Sequence, residues 1–173
     1  YVPGMNVSNG GTPGQTTITL RGVAPLNAAQ TVGIYLDDAP VGSSALYNRA
    51  GQFTIDLMPY DLQRIEVLKG PQGTLYGASS IGGLVKYVTV QPDTREFKVR
   101  AGVEGFTIKD AGSLGWGGQV YVNAPIATDT LAISGSFAWR KTPGWVDSIN
   151  NAGIKNQNDY EQRGGRAALL WQP

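Results

Sequence analysis

The sequence predicts an α+β protein in two parts: a small mixed sheet with one- or two-turn helices, followed by a run of antiparallel strands. Three observations predict it. Up to about Pro92, short apolar stretches alternate with Gly, Pro, Asn and Asp punctuation. Beyond Asp93 the stretches lengthen and apolar residues fall on every second position. Glycine, at 24 of 173 residues, is about twice its ordinary usage, which suits the tight turns and close backbone packing of β-rich folds.

In the first part, Thr17 to Leu20 and Val32 to Leu36 are rich in β-branched and aromatic residues and read as strands. Gly22 to Gln30 and Pro40 to Gly51 read as loops. Thr54 to Leu62 is too interrupted for a long helix but accommodates a helical turn on either side of Pro59. Asp61 to Pro92 is the most distinctive stretch. A strand through Ile65, Val67 and Leu68 runs into a Gly70-Pro71 turn and a small glycine-flanked knot. A second strand then spans Leu84 to Val90, and Gly82 and Gly83 before it read as turn or packing glycines.

In the second part, Phe97, Val99, Ala101 and Val103 alternate with Lys98, Arg100, Gly102 and Glu104. Trp116 to Ala124 and Leu131 to Arg140 repeat the pattern, and Gly165 to Trp171 repeats it more weakly. These segments approach the roughly 9 to 11 residues of a tilted strand crossing a bilayer. A short connection, Ala124 to Thr130, contrasts with a long polar one, Lys141 to Gln162, as barrel turns and loops do. A soluble antiparallel sheet with one wet face fits the pattern equally well. Trp116, Trp139 and Trp171 stand near strand ends, as girdle residues of a barrel or core residues of a soluble sheet.

Composition removes whole function classes. With 14 Lys plus Arg against 13 Asp plus Glu, there is no basic field to draw nucleic acid. The chain has no His and no Cys, so imidazole bases, thiolate nucleophiles, disulfides and His/Cys metal sites are excluded within it. No run of about 18 apolar residues is present to form a membrane helix, and neither a P-loop nor a dinucleotide fingerprint occurs. Asp37-Asp38 is the carboxylate pair to weigh for glycoside hydrolysis. Adjacent residues on an extended chain point to opposite faces, and Asp-Asp-Ala-Pro reads as a turn. Asp56, Asp61 and Glu66 read as cap, surface or ion-pair residues. Arg64 and Glu66 share one strand face by period two and are placed to pair. No catalytic, metal or cofactor site is assigned.

Four strings, in order, resemble the plug domain of TonB-dependent outer-membrane receptors: Tyr1 to Gly4, Thr19-Leu20-Arg21-Gly22, Val32 to Asp38 (VGIYLDD), and Asp61 to Pro92. The resemblance covers nearly all of residues 1 to 92. It implies a plug, residues 1 to 92, inside a transmembrane β-barrel of about 22 strands, with residues 97 to 173 as about four first strands. Because an open lipid-facing sheet edge is not viable, the chain is expected to be a fragment that lacks the plug's start and most of the barrel.

The resemblance further implies location in the Gram-negative outer membrane, in contact with its lipid. It implies active import of a scarce nutrient (an iron-siderophore, vitamin or glycan), energised by TonB through a box expected before Tyr1. Ligand would meet the apical plug loops, where Ser43, Ser44, Tyr47, Asn48 and Arg49 are the candidate contacts. Arg21 matches a plug arginine that pairs with barrel glutamates in the family. With Arg64 and Glu66 it makes the expected plug–barrel ion-pairing set, and Leu75 stands where some members carry a second such arginine. A non-transporting ligand-binding or signalling module on the plug fold is the alternative, and a carbohydrate-active enzyme the remote one.

Overall fold

The computed structural model describes residues 2–9, 16–23, 31–41, 58, 60–77, 79–148 and 155–173. The chain divides into two compact units, and each is built from strands. The first contains the described residues up to 41 together with Leu62–Thr89, and the second contains Met58–Asp61 and Val90–Pro173.

In the first unit, β1 (Met5–Asn9) pairs antiparallel with β2 (Thr16–Leu20). A second sheet has the order β4-β3-β6-β5, from β3 (Val32–Leu36), β4 (Ala39–Pro40), β5 (Leu62–Lys69) and β6 (Gly83–Thr89). Its β3 and β6 run parallel and its other pairs antiparallel, so it is the mixed sheet expected. Ile18 and Leu20 of β2, Val32 and Ile34 of β3, and Val85 of β6 form the core, with Met5, Val41, Val67 and Tyr87 packed against it. The glycine-flanked knot holds α1 (Gly73–Tyr76), a single turn and the only helix among the described residues. Tyr35 fastens it: its hydroxyl donates to the Tyr76 carbonyl at 2.7 Å and the two rings meet edge-on at 5.2 Å.

Glycine is structurally required where β6 begins. Gly83 has φ +142°, and a Cβ there would lie 2.3 Å from the Leu68 carbonyl oxygen and 2.6 Å from Leu20 Cδ1. The expected turn at Asp37-Asp38 is present and sends Ala39–Pro40 back along Tyr35 and Leu36 as β4. Of the helical turns expected on either side of Pro59, the one before it falls largely outside the described residues, and none follows it: the chain bends at Tyr60 and Asp61 and Leu62 already begins β5.

The second unit is one antiparallel sheet in the order β10-β9-β8-β7. Its strands are β7 (Lys98–Phe106), β8 (Gly115–Ala127), β9 (Leu131–Thr142) and β10 (Tyr160–Trp171). They run longer than their apolar alternation suggests. β8 continues through Pro125 to Ala127 with a bulge, and β10 begins at Tyr160 opposite Thr142, five residues before the expected Gly165. The ladder's hydrogen bonds do not depend on side-chain polarity, so pairing continues where the apolar pattern has faded. The connections shrink accordingly, to residues 128–130 and 143–159.

Candidate functional site

Pairing register assigns the faces of the second sheet. Val99, Ala101 and Val103 of β7 share a face with Trp116, Val120 and Val122 of β8. Leu131, Ile133, Phe137 and Trp139 of β9 and Ala167, Leu169 and Trp171 of β10 complete it. Its large side chains are open to the surroundings: Val103 is 94%, Phe137 50% and Leu169 65% exposed. An apolar face this extensive marks an interaction surface rather than a water-facing one. Along β9 it runs from Leu131 to Trp139, about 27 Å at ~3.4 Å per residue. At a strand tilt of ~40° this is roughly 21 Å of depth, near the ~25 Å apolar band of outer-membrane barrels. Trp116 and Trp139 meet edge-on at the end of the sheet carrying the 107–114 and 143–159 connections, with ring centroids 3.9 Å apart. Trp171 stands at the opposite end, opposite Leu131.

The other face is polar: Lys98, Arg100 and Glu104 on β7, Gln119, Tyr121 and Asn123 on β8, Ser134, Ser136 and Arg140 on β9, and Gln162 and Arg166 on β10. Near the end with the longer connections it forms a recess of about 320 Å³, whose lining includes Met58, Tyr60, Gly102, Glu104, Gln119 and Arg140. Glu104 and Arg140 pair there at 3.2 Å, and the guanidinium lies 4.5 Å from the Phe106 ring centroid. Burial, then the Asp61 charge, raises the Tyr60 phenol above its ordinary value of 10.0.

Two polar anchors hold chain segments to this face. Asp61, 7% exposed, accepts at Oδ2 from Arg166 Nη1 at 3.1 Å and from Ser136 Oγ at 2.9 Å. Fully buried Asn123 accepts from the Asp93 N–H at 2.9 Å, and its Nδ2 donates to the carbonyls of Asp93 and Glu96 at 2.9 and 2.6 Å. The connection before β7 is thereby fixed through three hydrogen bonds of one amide. Lys98 Nζ then reaches Asp93 at 2.8 Å and Glu96 at 2.9 Å.

The expected site residues separate. Ser43, Ser44, Tyr47, Asn48 and Arg49 lie outside the described residues. Arg64 Nε donates to Glu66 Oε1 at 2.6 Å on an exposed face of β5. Arg21 is exposed at a φ of +52°, closing β2, and has no ion-pair partner among the described residues. The Asp37-Asp38 carboxylates are each engaged elsewhere. Asp37 accepts from the Thr89 N–H and hydroxyl, both at 2.8 Å, and Asp38 pairs with Lys86 at 2.7 Å. The hydrogen bond to Asp38 raises the Lys86 ammonium above its ordinary value.

Asp61 with Arg166 is the ionic contact that the sequence does not announce. The residues are 105 positions apart. The available signal was a lone arginine in an alternating strand, which seeks an acid when its face is enclosed.

Comparison with known proteins is consistent in direction. Residues 1–84 match the TonB-dependent Receptor Plug Domain family. The pesticin receptor of Yersinia pestis is 41% identical over 97 residues, covering 54% of this chain and 13% of that protein. The vitamin B12 transporter BtuB of Vibrio vulnificus is 29% identical over 147 residues, covering 83% and 21% respectively. The crystal structure of the ferric yersiniabactin uptake receptor FyuA from Yersinia pestis superposes with a TM-score of 0.70 at 27% identity, over 97% of this chain and 24% of that one. The chain thus spans a small part of the length of the proteins it matches.

Proposed function

The chain belongs to the TonB-dependent outer-membrane receptor family, and on that premise we propose that it is part of an active importer of a ferric siderophore, coupled to TonB. Members of the family reside in the outer membrane of Gram-negative bacteria. We take residues 1–92 as the plug and residues 97–173 as barrel strands. The observation that carries the reading is the two-faced sheet that follows the plug sequence, with bare apolar side chains on one side and Lys, Arg, Glu, Gln and Asn on the other. Such a sheet suits a wall between lipid and a polar lumen. Iron import is favoured over vitamin import because the 27% identical structure, which superposes over 97% of this chain, is a ferric yersiniabactin uptake receptor. The recess by Glu104, Gln119 and Arg140 offers both charge signs and an amide to a polar ligand.

The test uses the full-length receptor in a Gram-negative host deleted for its own siderophore receptors. Uptake of radiolabelled iron is followed from a panel of purified ferric siderophores, with and without a protonophore. Energy-dependent accumulation is expected for at least one siderophore. Binding without accumulation would instead support the signalling alternative.

A further inference from the structure

We propose that the apolar face of the second unit carries a site for a phosphate-bearing, acylated lipid, with Lys141 and Arg163 at its headgroup and a groove over Gly118 holding an acyl chain. Within the strands, register places only three charged residues on this face: Lys141 on β9, and Glu161 and Arg163 on β10. All three lie at the end with the longer connections, beside Trp116 and Trp139, and the opposite end at Leu131 and Trp171 has none. A wall that merely met two interfaces would not gather its charge at one of them. Lys141 stands opposite Glu161, and Arg163 opposite Trp139, so the two cations occupy diagonal positions with backbones about 7–8 Å apart. One phosphate between them is within reach of both. Glu161 accepts from Arg163 Nε at 2.6 Å and from the Trp139 indole N–H, which fixes the guanidinium and leaves Nη1 and Nη2 for an anion. Lys141 is exposed and has no ion-pair partner among the described residues. Two cations against one carboxylate leave the cluster positive.

An apolar groove adjoins these charges on the same face. Val103, Gly118, Trp139 and Arg163 are successive register partners across the sheet, and Ala101, Val120, Phe137 and Gly165 form the next row. The groove, about 540 Å³, has Val103, Gly118 and Trp139 of the first row and Ala101, Val120 and Phe137 of the second in its lining. Gly118 keeps it open without being forced to: a Cβ there would meet nothing closer than the Gly102 carbonyl oxygen at 3.6 Å. Lys141 lies two residues beyond Trp139, about 7 Å at ~3.4 Å per residue. Cation, indole and apolar groove thus follow one another along β9 in the order of a lipid's headgroup, interface and chain. A soluble anion would need no groove, and an apolar partner would need no cations. In the barrel wall proposed above, on which this inference rests, the end with the longer connections faces outward, so the lipid belongs to the outer leaflet.

The test uses the full-length receptor, purified from outer membranes in detergent, and reads bound lipid by native mass spectrometry. The probes are phosphorylated lipid A, the same lipid A with its phosphates removed, and phosphatidylglycerol, each at equal concentration. The unsubstituted receptor is expected to retain phosphorylated lipid A several-fold more than either other probe. Lys141→Gln with Arg163→Gln is expected to abolish that preference, and Gly118→Leu, which fills the groove, to lower retention of both forms of lipid A. Arg100→Gln, which removes a cation from the opposite face, is expected to change nothing. If the double variant does not assemble, as heat-modifiable migration on gels reports, Lys141→Gln alone is expected to show a smaller loss of the preference. Equal retention of the two forms of lipid A by the unsubstituted receptor overturns the inference, as does an undiminished preference in an assembled variant. Preferential retention of phosphatidylglycerol overturns it too. A receptor absent from the outer-membrane fraction would instead refute the barrel-wall reading, so the two failures are distinguishable.

Discussion

Substituting Gly83 by alanine tests how the plug sheet closes on itself. The added methyl would sit 2.3 Å from the Leu68 carbonyl oxygen and 2.6 Å from Leu20 Cδ1, so something must move by nearly ~1 Å to reach ordinary contact. Neither neighbour is free to do so. Leu68 is paired in the ladder opposite Leu84, and Leu20 is fully buried in the core. Overpacking contributes about 1–3 kcal/mol, and the backbone conformation, unfavourable to any side chain, about 1–3 kcal/mol more. A loss of about 3 kcal/mol raises local opening roughly a hundredfold. Hydrogen exchange of β5 and β6 amides in the full-length receptor reads this directly. Gly70→Ala separates the two effects, because Gly70 has φ +97° but nothing within 4 Å, leaving the backbone cost alone. Gly73, in α1 with open space around it, is expected to accept alanine with no loss of protection. Equal exchange in Gly83→Ala and the unsubstituted receptor would refute the packing argument.

Val120→Arg puts a charge at mid-strand on the apolar face and is expected to cost about 2–4 kcal/mol at the bilayer midplane. Gln119→Arg, one residue away on the polar face, is expected to be tolerated, and heat-modifiable gel migration after expression compares the two. Asp37→Ala removes both acceptors of buried Thr89 and places alanine at a positive φ of 52°. A loss of about 2–4 kcal/mol is expected, with Asp37→Asn milder, measured by exchange at β6. Asp93 is held below its ordinary value of 3.8, first by the hydrogen bond from Lys98 and then by the Arg95 N–H. Because its folded value is depressed, its stabilisation is present above pH 3.8 and is lost as pH falls through the folded value. The difference in thermal midpoint between the unsubstituted receptor and Asp93→Asn is therefore expected at pH 5 to 6 and to close in stronger acid.

What the sequence made legible depended on how local each signal is. Val32 to Leu36 is a strand with the boundaries its composition suggests. The alternation of Leu131 to Arg140 placed Phe137 and Trp139 on one face and Ser136 and Arg140 on the other, as the register does. β1 was missed because Met5-Asn6-Val7-Ser8-Asn9 has no strand-like run of its own; it exists through pairing with β2. The Arg64–Glu66 pair was legible because same-face neighbours two residues apart follow from pleating. Asp61–Arg166 was not, because no periodicity links residues brought together only by tertiary structure.

The stretch from Asp61 to Pro92 carries part of the resemblance to the plug family, and its contacts explain its composition without assigning it ligand chemistry. Gly83 is required where a carbonyl and a core leucine leave no space for a methyl, and Gly77 caps α1 at φ +70°. Ser80 is buried and donates to the Gly77 carbonyl at 2.8 Å. These are constraints of a tightly folded β-turn-β element, and they are the same whatever the ligand. The long-range polar contacts lie elsewhere: Glu104 with Arg140, and Asp61 with Arg166 and Ser136. Scaffold is therefore written locally, in glycine and strand pattern, whereas these polar contacts join positions that only the folded chain brings together. Exchanging the Asp61–Pro92 string between two receptors of different specificity is accordingly expected to preserve each recipient's substrate, and uptake assays on such chimaeras decide it. Transfer of specificity with the string would place ligand recognition in the scaffold after all.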